Sequence, residues 1–168
     1  MKLKQFNYKK VKSTNQTAIK LIQNFKKEFG LVVAETQING RGQYGRKWIS
    51  YKGNTFLSFF YSLEKINLSM ALLTKKNCYL VQNTISKYCN KKITFKKPND
   101  LLIDKKKISG ILQEVVLIKN KNFLITGIGI NIVKNPIIRN YPATNLKEIT
   151  TKNISKSLVE KKLKKIFE

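Results

Sequence analysis

The sequence predicts an α+β fold: a mixed, largely antiparallel sheet flanked by helices. Apolar residues recur at helical spacing near both ends and in the middle of the chain. Apolar stretches of strand length separate these helices, and the last of them follow one another through short polar turns, as antiparallel strands do. With 168 residues, 42% of them hydrophobic, the chain is expected to fold as one domain over residues 1–168.

The first third of the chain alternates strand and helix. Ser13 is a favourable N-cap residue, and Gly30 is a residue type that commonly ends a helical unit. The expected elements are a strand at 5–11, a helix at 14–27, a buried strand at 31–36, a polar loop at 37–53 and a Phe-rich strand at 54–63.

The rest of the chain predicts one long helix, a run of hairpins and a final helix. Pro98 stops a strand, and two Lys- and Asn-rich turns separate the strands that follow. The expected elements are a helix at 68–89 capped by Asn67, strands at 92–96, 101–103, 108–118 and 123–132, and a helix over about 154–167.

The charge is strongly positive but evenly spread. The formal net charge is +25, carried by 31 Lys and 3 Arg against 9 acidic residues. Lys enrichment along the whole chain, together with Ile and Asn, indicates a compositional bias more than a nucleic-acid-binding face, which concentrates Lys and Arg on one element. Two of the three Arg, Arg41 and Arg46, nevertheless lie in one Gly-rich segment, where we look first for chemistry.

Several classes of protein are excluded by what the sequence lacks. There is no His, so an imidazole base and a His-ligated metal are excluded. No apolar run approaches the ~18 residues of a membrane-spanning helix, and the N-terminus has no signal-peptide pattern, so we expect a cytoplasmic protein. Cys78 and Cys89 fall in the predicted long helix, too far apart for a disulfide, and are expected to be reduced packing residues.

Five segments have residue types suited to binding an anion or a planar ring. The Gly-rich segment allows close backbone approach to an anion, with Arg41 and Arg46 as forked donors and Trp48 as a stacking surface. Each segment also has an ordinary interpretation. In the order of the segments along the chain, these are a helix cap, a mobile loop, a charged turn, a weakened strand and a bulge. The segments are Ser13-Thr14-Asn15, Gly40 to Trp48, Lys96 to Asp100, Lys107 to Glu114, and Thr126 to Asn131.

Together and in this order, the five segments resemble the catalytic domain of biotin–protein ligases. That family shows Ser-Thr-Asn at a helix start, then Gly-Arg-Gly-x-x-Gly-Arg-x-Trp after a Gln, here Gln37. Lys-Trp-Pro-Asn-Asp, Lys-x-x-Gly-Ile-Leu-x-Glu and Gly-x-Gly-x-Asn follow. The resemblance covers about residues 5–167 and implies a core related to class II aminoacyl-tRNA synthetases.

The resemblance implies a two-step reaction. The carboxylate of biotin attacks the α-phosphorus of ATP, which gives biotinyl-5′-AMP and pyrophosphate. A lysine of a biotin carboxyl carrier protein, a subunit of acetyl-CoA carboxylase, then attacks the mixed anhydride. Mg²⁺ is implied on the triphosphate, held mainly through substrate oxygens rather than by protein ligands.

By the same resemblance, Lys96 and Arg41 are the expected catalytic residues. Biotin is expected to contact Ser13, Thr14, Asn15, Gln37, Arg41, Gly42, Gln43, Lys96 and Gly110. ATP is expected to contact Arg41, Arg46, Trp48, Lys96 and Asn131.

The chain departs from the family pattern at two positions. Gln43 stands where the family has Arg, so we expect weaker contact with phosphate or adenylate. Lys97 stands where the family has Trp, which removes an apolar wall from the biotin pocket. The sequence also leaves no room for the DNA-binding domain that often precedes this core, and it stops before the usual C-terminal β-barrel, so we expect neither.

Two alternatives remain. A lipoate–protein ligase or octanoyltransferase has the same fold, but the octanoyl enzymes use a Cys nucleophile, and both Cys lie away from the motifs. A non-catalytic, basic nucleic-acid-binding protein would use the +25 charge but leaves the motifs unexplained. We expect no specific DNA binding and no membrane association, and a homodimer is left open.

Overall fold

A seven-stranded sheet organises the described residues, 3–64 and 66–168, of the computed structural model. Its first two strands pair in parallel, and all its other neighbours pair antiparallel. The spatial order is β1-β2-β5-β9-β8-β7-β6. These strands are β1 (Gln5–Val11), β2 (Phe29–Gln37), β5 (Thr55–Ser62), β6 (Ile93–Lys96), β7 (Asp100–Ile103), β8 (Lys106–Ile118) and β9 (Lys121–Ile130).

Helices cover both faces of this sheet. On one face, which we call the α1 face, apolar residues of α1 (Thr14–Phe25) such as Ala18 and Ile22 pack against Val32 and Phe60. The opposite face, the α2–α4 face, is covered by α2 (Met70–Ile85) and α4 (Lys156–Phe167). There Phe167 stacks on Phe59 with ring centroids 4.0 Å apart. The predicted α+β class with a mixed, largely antiparallel sheet is confirmed.

The predicted elements are present, with shifted boundaries. Gly30, predicted to end the first helical unit, lies inside β2 opposite Phe60, where a side chain would meet the Phe60 ring. Asn67 is wrong as a cap: α2 begins later, and the Ser69 side chain accepts the N–H of Leu72 at its start. The helix also ends at Ile85, before the predicted end.

The cysteine prediction is right in its outcome and wrong in its geometry. Cys89 lies beyond the end of α2, so the two Cys do not share a helix as expected. Both are nevertheless free and buried, on the α2–α4 face. Burial raises the pKa of Cys78 to about 12, with the nearby negative charge of Asp100 adding to the effect.

The predicted polar loop contains structure of its own. Strands β3 (Gly40–Arg41) and β4 (Lys47–Trp48) pair antiparallel, and a short 3₁₀ turn over Gln43–Gly45 joins them. A short helix, α3 (Leu146–Ile149), was not predicted, and the Asn145 side chain caps it through the N–H of Glu148. No helix formed by the described residues is both long and apolar enough to cross a membrane.

Candidate active site

One cavity of about 730 Å³ opens beside the N-terminus of α1, on the α1 face of the sheet. Its walls are the Gly-rich loop (residues 40–48), the turn between β6 and β7, the glycines of β8 and β9, and the segment 136–143. All the residues expected to contact biotin or ATP line it: Ser13, Thr14, Asn15, Gln37, Arg41, Gly42, Gln43, Arg46, Trp48, Lys96, Gly110 and Asn131.

A glutamine side chain, not Ser13, caps the helix at this end of the cavity. The Gln37 side-chain oxygen accepts the backbone N–H of Thr14 at 2.8 Å and its hydroxyl at 3.1 Å. Ser13 is at the predicted N-cap position but makes no side-chain capping bond. The predicted Ser13 cap is therefore wrong in its chemistry, because Gln37 reaches in from the end of β2 and binds the first helical N–H.

The Asn15 amide links α1 to a charged pair in the sheet. Its nitrogen donates to Glu114 at 2.7 Å, and its oxygen accepts the Ser58 hydroxyl at 2.5 Å. Glu114 in turn accepts Nη2 of Arg41 at 2.7 Å. Gly127 makes room for this amide, since a Cβ there would lie 2.3 Å from its oxygen. Arg41 is thus held by Glu114, which Asn15 in turn binds, and the Arg41 charge is partly compensated.

The Trp48 indole lies against two glycines that face each other across strands. Gly110 of β8 pairs directly with Gly129 of β9. A Cβ would lie 2.8 Å from the indole at Gly110 and 2.5 Å from it at Gly129. The ammonium of Lys107 lies 5.1 Å from the indole centroid. Because Gly110 has no side chain, it leaves room for the large planar ring of Trp48.

A cluster of cations, a carboxylate and a phenol forms the part of the wall next to the Trp48 ring. Lys96 ends β6, and Asp100 begins β7. Asp100 is paired with Lys107 at 2.7 Å, and its second oxygen accepts the hydroxyl of Tyr141. Burial, reinforced by this bond, raises the pKa of Tyr141 to about 12. No ion pair of the described residues includes Lys96.

Two of these residues were missed from the sequence. We interpreted Asp100 as an ordinary turn residue, but it is buried, in a strand, and ion-paired. Its place directly after a Pro-stopped strand and before an apolar one was the available signal. Tyr141 lies in a segment with no periodic pattern, and nothing in the sequence indicated that it would reach the cavity.

Apart from Oδ1 of Asp100, which is ion-paired with Lys107, four side-chain atoms of the cavity wall are buried and lack a hydrogen-bond partner among the described residues. Two are donors, Nε of Arg41 and Nε1 of Trp48, and two are acceptors, the side-chain oxygens of Gln43 and Asn131. Buried polar atoms are rarely left unpaired in folded proteins. The set indicates a ligand that offers both donors and acceptors.

Asn131 is fixed with its oxygen free. Its amide nitrogen donates to the carbonyl of Thr144 at 3.1 Å. The chain just after it is held by Asn54, whose side-chain oxygen accepts the N–H of Ile132 and of Val133, both at 3.0 Å. The Asn131 side-chain oxygen is therefore a free hydrogen-bond acceptor that is held in a fixed position.

Comparisons with known proteins identify relatives of this arrangement. The family model described as the biotin/lipoate A/B protein ligase family matches residues 8–131. The bifunctional ligase/repressor BirA of Bacillus subtilis is 34% identical over 151 residues, which are 89% of this chain and 45% of that protein. BirA of Escherichia coli is 34% identical over 106 residues, 62% of this chain and 33% of its length. The chain thus spans less than half of these curated relatives.

Solved structures give the same result. The biotin protein ligase from Aquifex aeolicus in complex with biotin and ATP superposes with a TM-score of 0.81 at 32% identity, covering 96% of this chain and 67% of that one. A P. falciparum structure in complex with lipoate matches with a TM-score of 0.66 at 15% identity, which shows a shared fold alone.

The predicted resemblance to biotin–protein ligase catalytic domains is confirmed by these relatives. The matched residues begin in β1 and end at Asn131, so they include the Gly-rich loop and Lys96. Since that match spans well over half of the 168 residues, the chain belongs to the biotin/lipoate A/B protein ligase family.

Proposed function

We propose that this chain is an ATP-dependent ligase that activates biotin as biotinyl-5′-AMP and transfers it to a lysine of a biotin carboxyl carrier protein. One observation carries the proposal: a cavity that combines an uncompensated lysine, two arginines and four unpaired buried polar atoms. The relatives described as biotin protein ligases, one of them in complex with biotin and ATP, support the choice of substrates.

The purine is assigned to the Trp48 end of the cavity. The Asn131 side-chain oxygen is a free acceptor, which suits the exocyclic amine of adenine and not the carbonyl of guanine. The Trp48 ring offers a planar neighbour, and its free N–H can meet a nucleotide oxygen or ring nitrogen. Arg46, which is exposed on the Gly-rich loop, is left for the phosphates.

Biotin is assigned to the end of the cavity at α1. Ser13 and Thr14 present small hydrogen-bonding groups there, and Gln37 and Asn15 are fixed by the bonds described above. Arg41 has Nη2 engaged by Glu114 and Nε free, so it can bind a carboxylate without leaving its partner. Gly42 and Gln43 flank that position on the Gly-rich loop.

Adenylation requires stabilisation of charge on the α-phosphate. An oxygen of the biotin carboxylate attacks phosphorus, and the bond to the bridging oxygen breaks as pyrophosphate leaves. Lys96 can hold the equatorial oxygens during this step, because its charge is not cancelled by a carboxylate. In the second step a neutral amine of the carrier attacks the biotinyl carbonyl, AMP leaves, and the amine proton passes to water.

The residues of the cavity do not form a site for Mg²⁺. The described residues hold no cluster of three His, Cys, Asp or Glu side chains. Both oxygens of Asp100 are engaged by Lys107 and Tyr141, and Glu114 is engaged by Arg41 and Asn15. We therefore treat Mg²⁺ as part of the substrate MgATP, with the chain supplying cations and no carboxylate ligand.

One of the alternatives, an octanoyltransferase, fits the cavity less well. An octanoyltransferase needs a cysteine nucleophile, but Cys78 is buried and its raised pKa disfavours the thiolate.

For the whole protein we propose a cytoplasmic location, a carrier protein as partner, and no sequence-specific nucleic-acid binding. Any DNA binding should be weak at physiological salt, because the contacts of dispersed Lys residues are screened as the salt concentration rises. Each neutralised phosphate adds about 0.9 to the slope with which the logarithm of the binding constant falls against the logarithm of the salt concentration.

Biotin-dependent exchange of pyrophosphate into ATP tests the proposal without a carrier. We expect exchange by the wild-type chain, and a loss of at least ~10²-fold in Lys96→Ala, since an electrostatic contact made mainly in the transition state is removed. Lys97→Ala is the comparison variant: Lys97 is exposed and lines the cavity as Lys96 does, but it follows the end of β6 and should matter far less. Near wild-type exchange in Lys96→Ala would falsify the assignment, and exchange that depends on lipoate but not biotin would favour the lipoate alternative.

A further inference from the structure

The chain bends just after Asn131, and one side chain from another part of the sequence holds the bend. The side-chain oxygen of Asn54 accepts the backbone N–H groups of Ile132, Val133 and Lys134 at 3.0, 3.0 and 3.3 Å. The side-chain nitrogen of Asn54 donates to the carbonyl of Lys134 at 2.7 Å. Asn54 is fully buried and directly precedes β5, whose first residue pairs with the last residue of β9. The Asn54 side chain therefore makes four hydrogen bonds to the three residues that follow Asn131.

The turn that carries Asn54 also packs against this bend. Gly53 has a φ of +93°, and a Cβ at this position would lie 2.7 Å from the side chain of Val133. The ring centroid of Tyr51 lies 4.7 Å from Nζ of Lys134. Successive backbone N–H groups that converge on one point commonly bind an anion. Here the neutral amide of Asn54 takes that place, so the bend is held without a charge.

The amide of Asn131 faces the cavity with its oxygen because carbonyl groups lie on its other side. Its nitrogen donates to the carbonyl of Thr144 at 3.1 Å and to that of Lys107 at 3.5 Å. Rotation of the amide by half a turn would bring its oxygen against these two carbonyl oxygens. The backbone of Asn131 is fixed as well, since its N–H donates to the carbonyl of Ile108 at 2.9 Å. The orientation of the amide therefore depends on where the backbone around Asn131 is held.

This orientation decides which purine the site accepts. Adenine carries an amine at C6, which is a hydrogen-bond donor, whereas hypoxanthine and guanine carry a carbonyl there. A buried amide oxygen binds the amine and repels the carbonyl, and a rotated amide would do the reverse. A buried acceptor placed against another acceptor loses its hydrogen bond, so discrimination of at least ~10-fold is expected.

We propose that Asn54 is a positioning residue for the purine: by holding the three N–H groups after Asn131, it keeps the Asn131 oxygen facing the cavity and makes the site select a 6-aminopurine over a 6-oxopurine. This inference rests on the proposed function. Asn54 is not part of the cavity lining and is assigned no contact with substrate. Its effect should therefore be on the choice of nucleotide and not on the binding of biotin.

Pyrophosphate exchange with ATP and with inosine triphosphate measures this choice. We expect the wild-type chain to prefer ATP in kcat/KM by at least ~10-fold, and Asn54→Ala to lose most of this preference, with the KM for biotin within about twofold of wild type. Asn54→Asp keeps an acceptor for the three N–H groups and should retain the preference. Equal efficiency with the two nucleotides in the wild type would overturn the inference, whether or not any variant folds. So would an unchanged preference in Asn54→Ala, or one reduced equally in both variants.

Asn77→Ala is the matched control. Asn77 is a buried asparagine like Asn54, but it donates to the Thr126 hydroxyl at 3.3 Å on the α2–α4 face, away from the cavity. We expect its loss to lower stability and to leave the preference for ATP over inosine triphosphate as in the wild type. A fall in preference as large as that of Asn54→Ala would show that any loss of stability has this effect, and would refute the inference.

Hydrogen exchange and titration provide a test that is independent of activity. The backbone N–H groups of residues 132–134 should exchange slowly in the wild type and in Asn77→Ala, and fast in Asn54→Ala. Isothermal titration with each nucleotide in the absence of biotin should give the same order of preference as the kinetics. Equal protection of these N–H groups in Asn54→Ala would refute the positioning role. Protected N–H groups and selective ATP binding without biotin-dependent exchange would refute only the proposed function.

Discussion

The two faces of the sheet use the same strand for opposite purposes. On the α2–α4 face, Ile128 and Ile130 of β9 join a core that includes Val159 and Leu163 of α4. On the α1 face, alternate positions of the same strand are glycines, whose missing side chains admit Asn15 and the Trp48 ring. One strand thus fills a core on one side and opens a binding cavity on the other.

The difference shows how a cavity can be made without interrupting the pairing of the strands. The pairing of β8 and β9 runs without interruption from Ser109 opposite Ile130 to Ile118 opposite Lys121. Glycine removes side-chain volume on one face and leaves the backbone hydrogen bonds in place. We therefore expect substitutions on the two faces to separate activity from stability.

Gly129→Ala should have the largest effect of the variants that test this separation. The new Cβ would lie 2.5 Å from two atoms of the Trp48 ring, which is packed and cannot rotate away as a flexible chain would. Overpacking of this kind costs about 1–3 kcal/mol, so we expect kcat/KM for exchange to fall roughly 5- to 150-fold. Steady-state kinetics at varied ATP measure it.

The neighbouring residue gives the matched control. Ile130→Val removes one buried methylene from the α2–α4 face and should lower the free energy of unfolding by about 1 kcal/mol, with the KM for ATP unchanged. Urea denaturation and exchange kinetics on both variants separate the faces. If Ile130→Val impaired ATP binding as much as Gly129→Ala, the two faces would not be functionally distinct.

Arg41→Lys should have a smaller effect on the same face. Lysine keeps the charge but cannot bind Glu114 through one nitrogen and present a second donor to a ligand. Loss of one charge-assisted hydrogen bond predicts roughly a tenfold rise in the dissociation constant of biotin or ATP. Isothermal titration measures both, and unchanged affinities for both would show that Arg41 does not clamp a carboxylate or phosphate.

The smallest effect is expected at Glu160, on the α2–α4 face. Burial raises the pKa of this carboxyl from 4.5 to about 7, against the opposing effect of Lys156. The folded chain therefore binds more protons than the unfolded chain between these values, and this group's contribution to stability falls as pH rises through that window. We expect Glu160→Gln to reduce the loss of Tm between pH 5.5 and 7.5, with exchange activity at pH 7.5 unaltered.

The sequence predicts the fold because its signals are local. Strand-length apolar stretches and helical spacing identify the main elements, and short turns between consecutive strands indicate antiparallel pairing. The errors occur where a distant side chain decides the outcome. Gly30 lies in a strand that pairs it with Phe60 of another element, and Gln37, also from another element, replaces Ser13 as the cap of α1.

The site residues could be selected from the sequence only because their motifs occur together, and their roles stay predictions. The local patterns identify Arg41, Lys96 and Trp48 as chemically capable residues. They do not show that Asp100 is buried against Lys107. Nor do they show that the Lys96 ammonium lies over the ring of Tyr141, which is 45 residues further along the chain. Such contacts depend on tertiary packing, which periodicity and spacing do not encode.

The Trp48 indole has a consequence for experiment as well as for binding. It is the single tryptophan of the chain, and it lies in the wall of the cavity. Excitation at the red edge of the protein absorption band therefore selects one fluorophore, whose emission depends on the polarity and the charges directly around it, Lys107 among them. Entry of a nucleotide changes those surroundings, so the unlabelled wild-type chain is its own optical sensor of site occupancy.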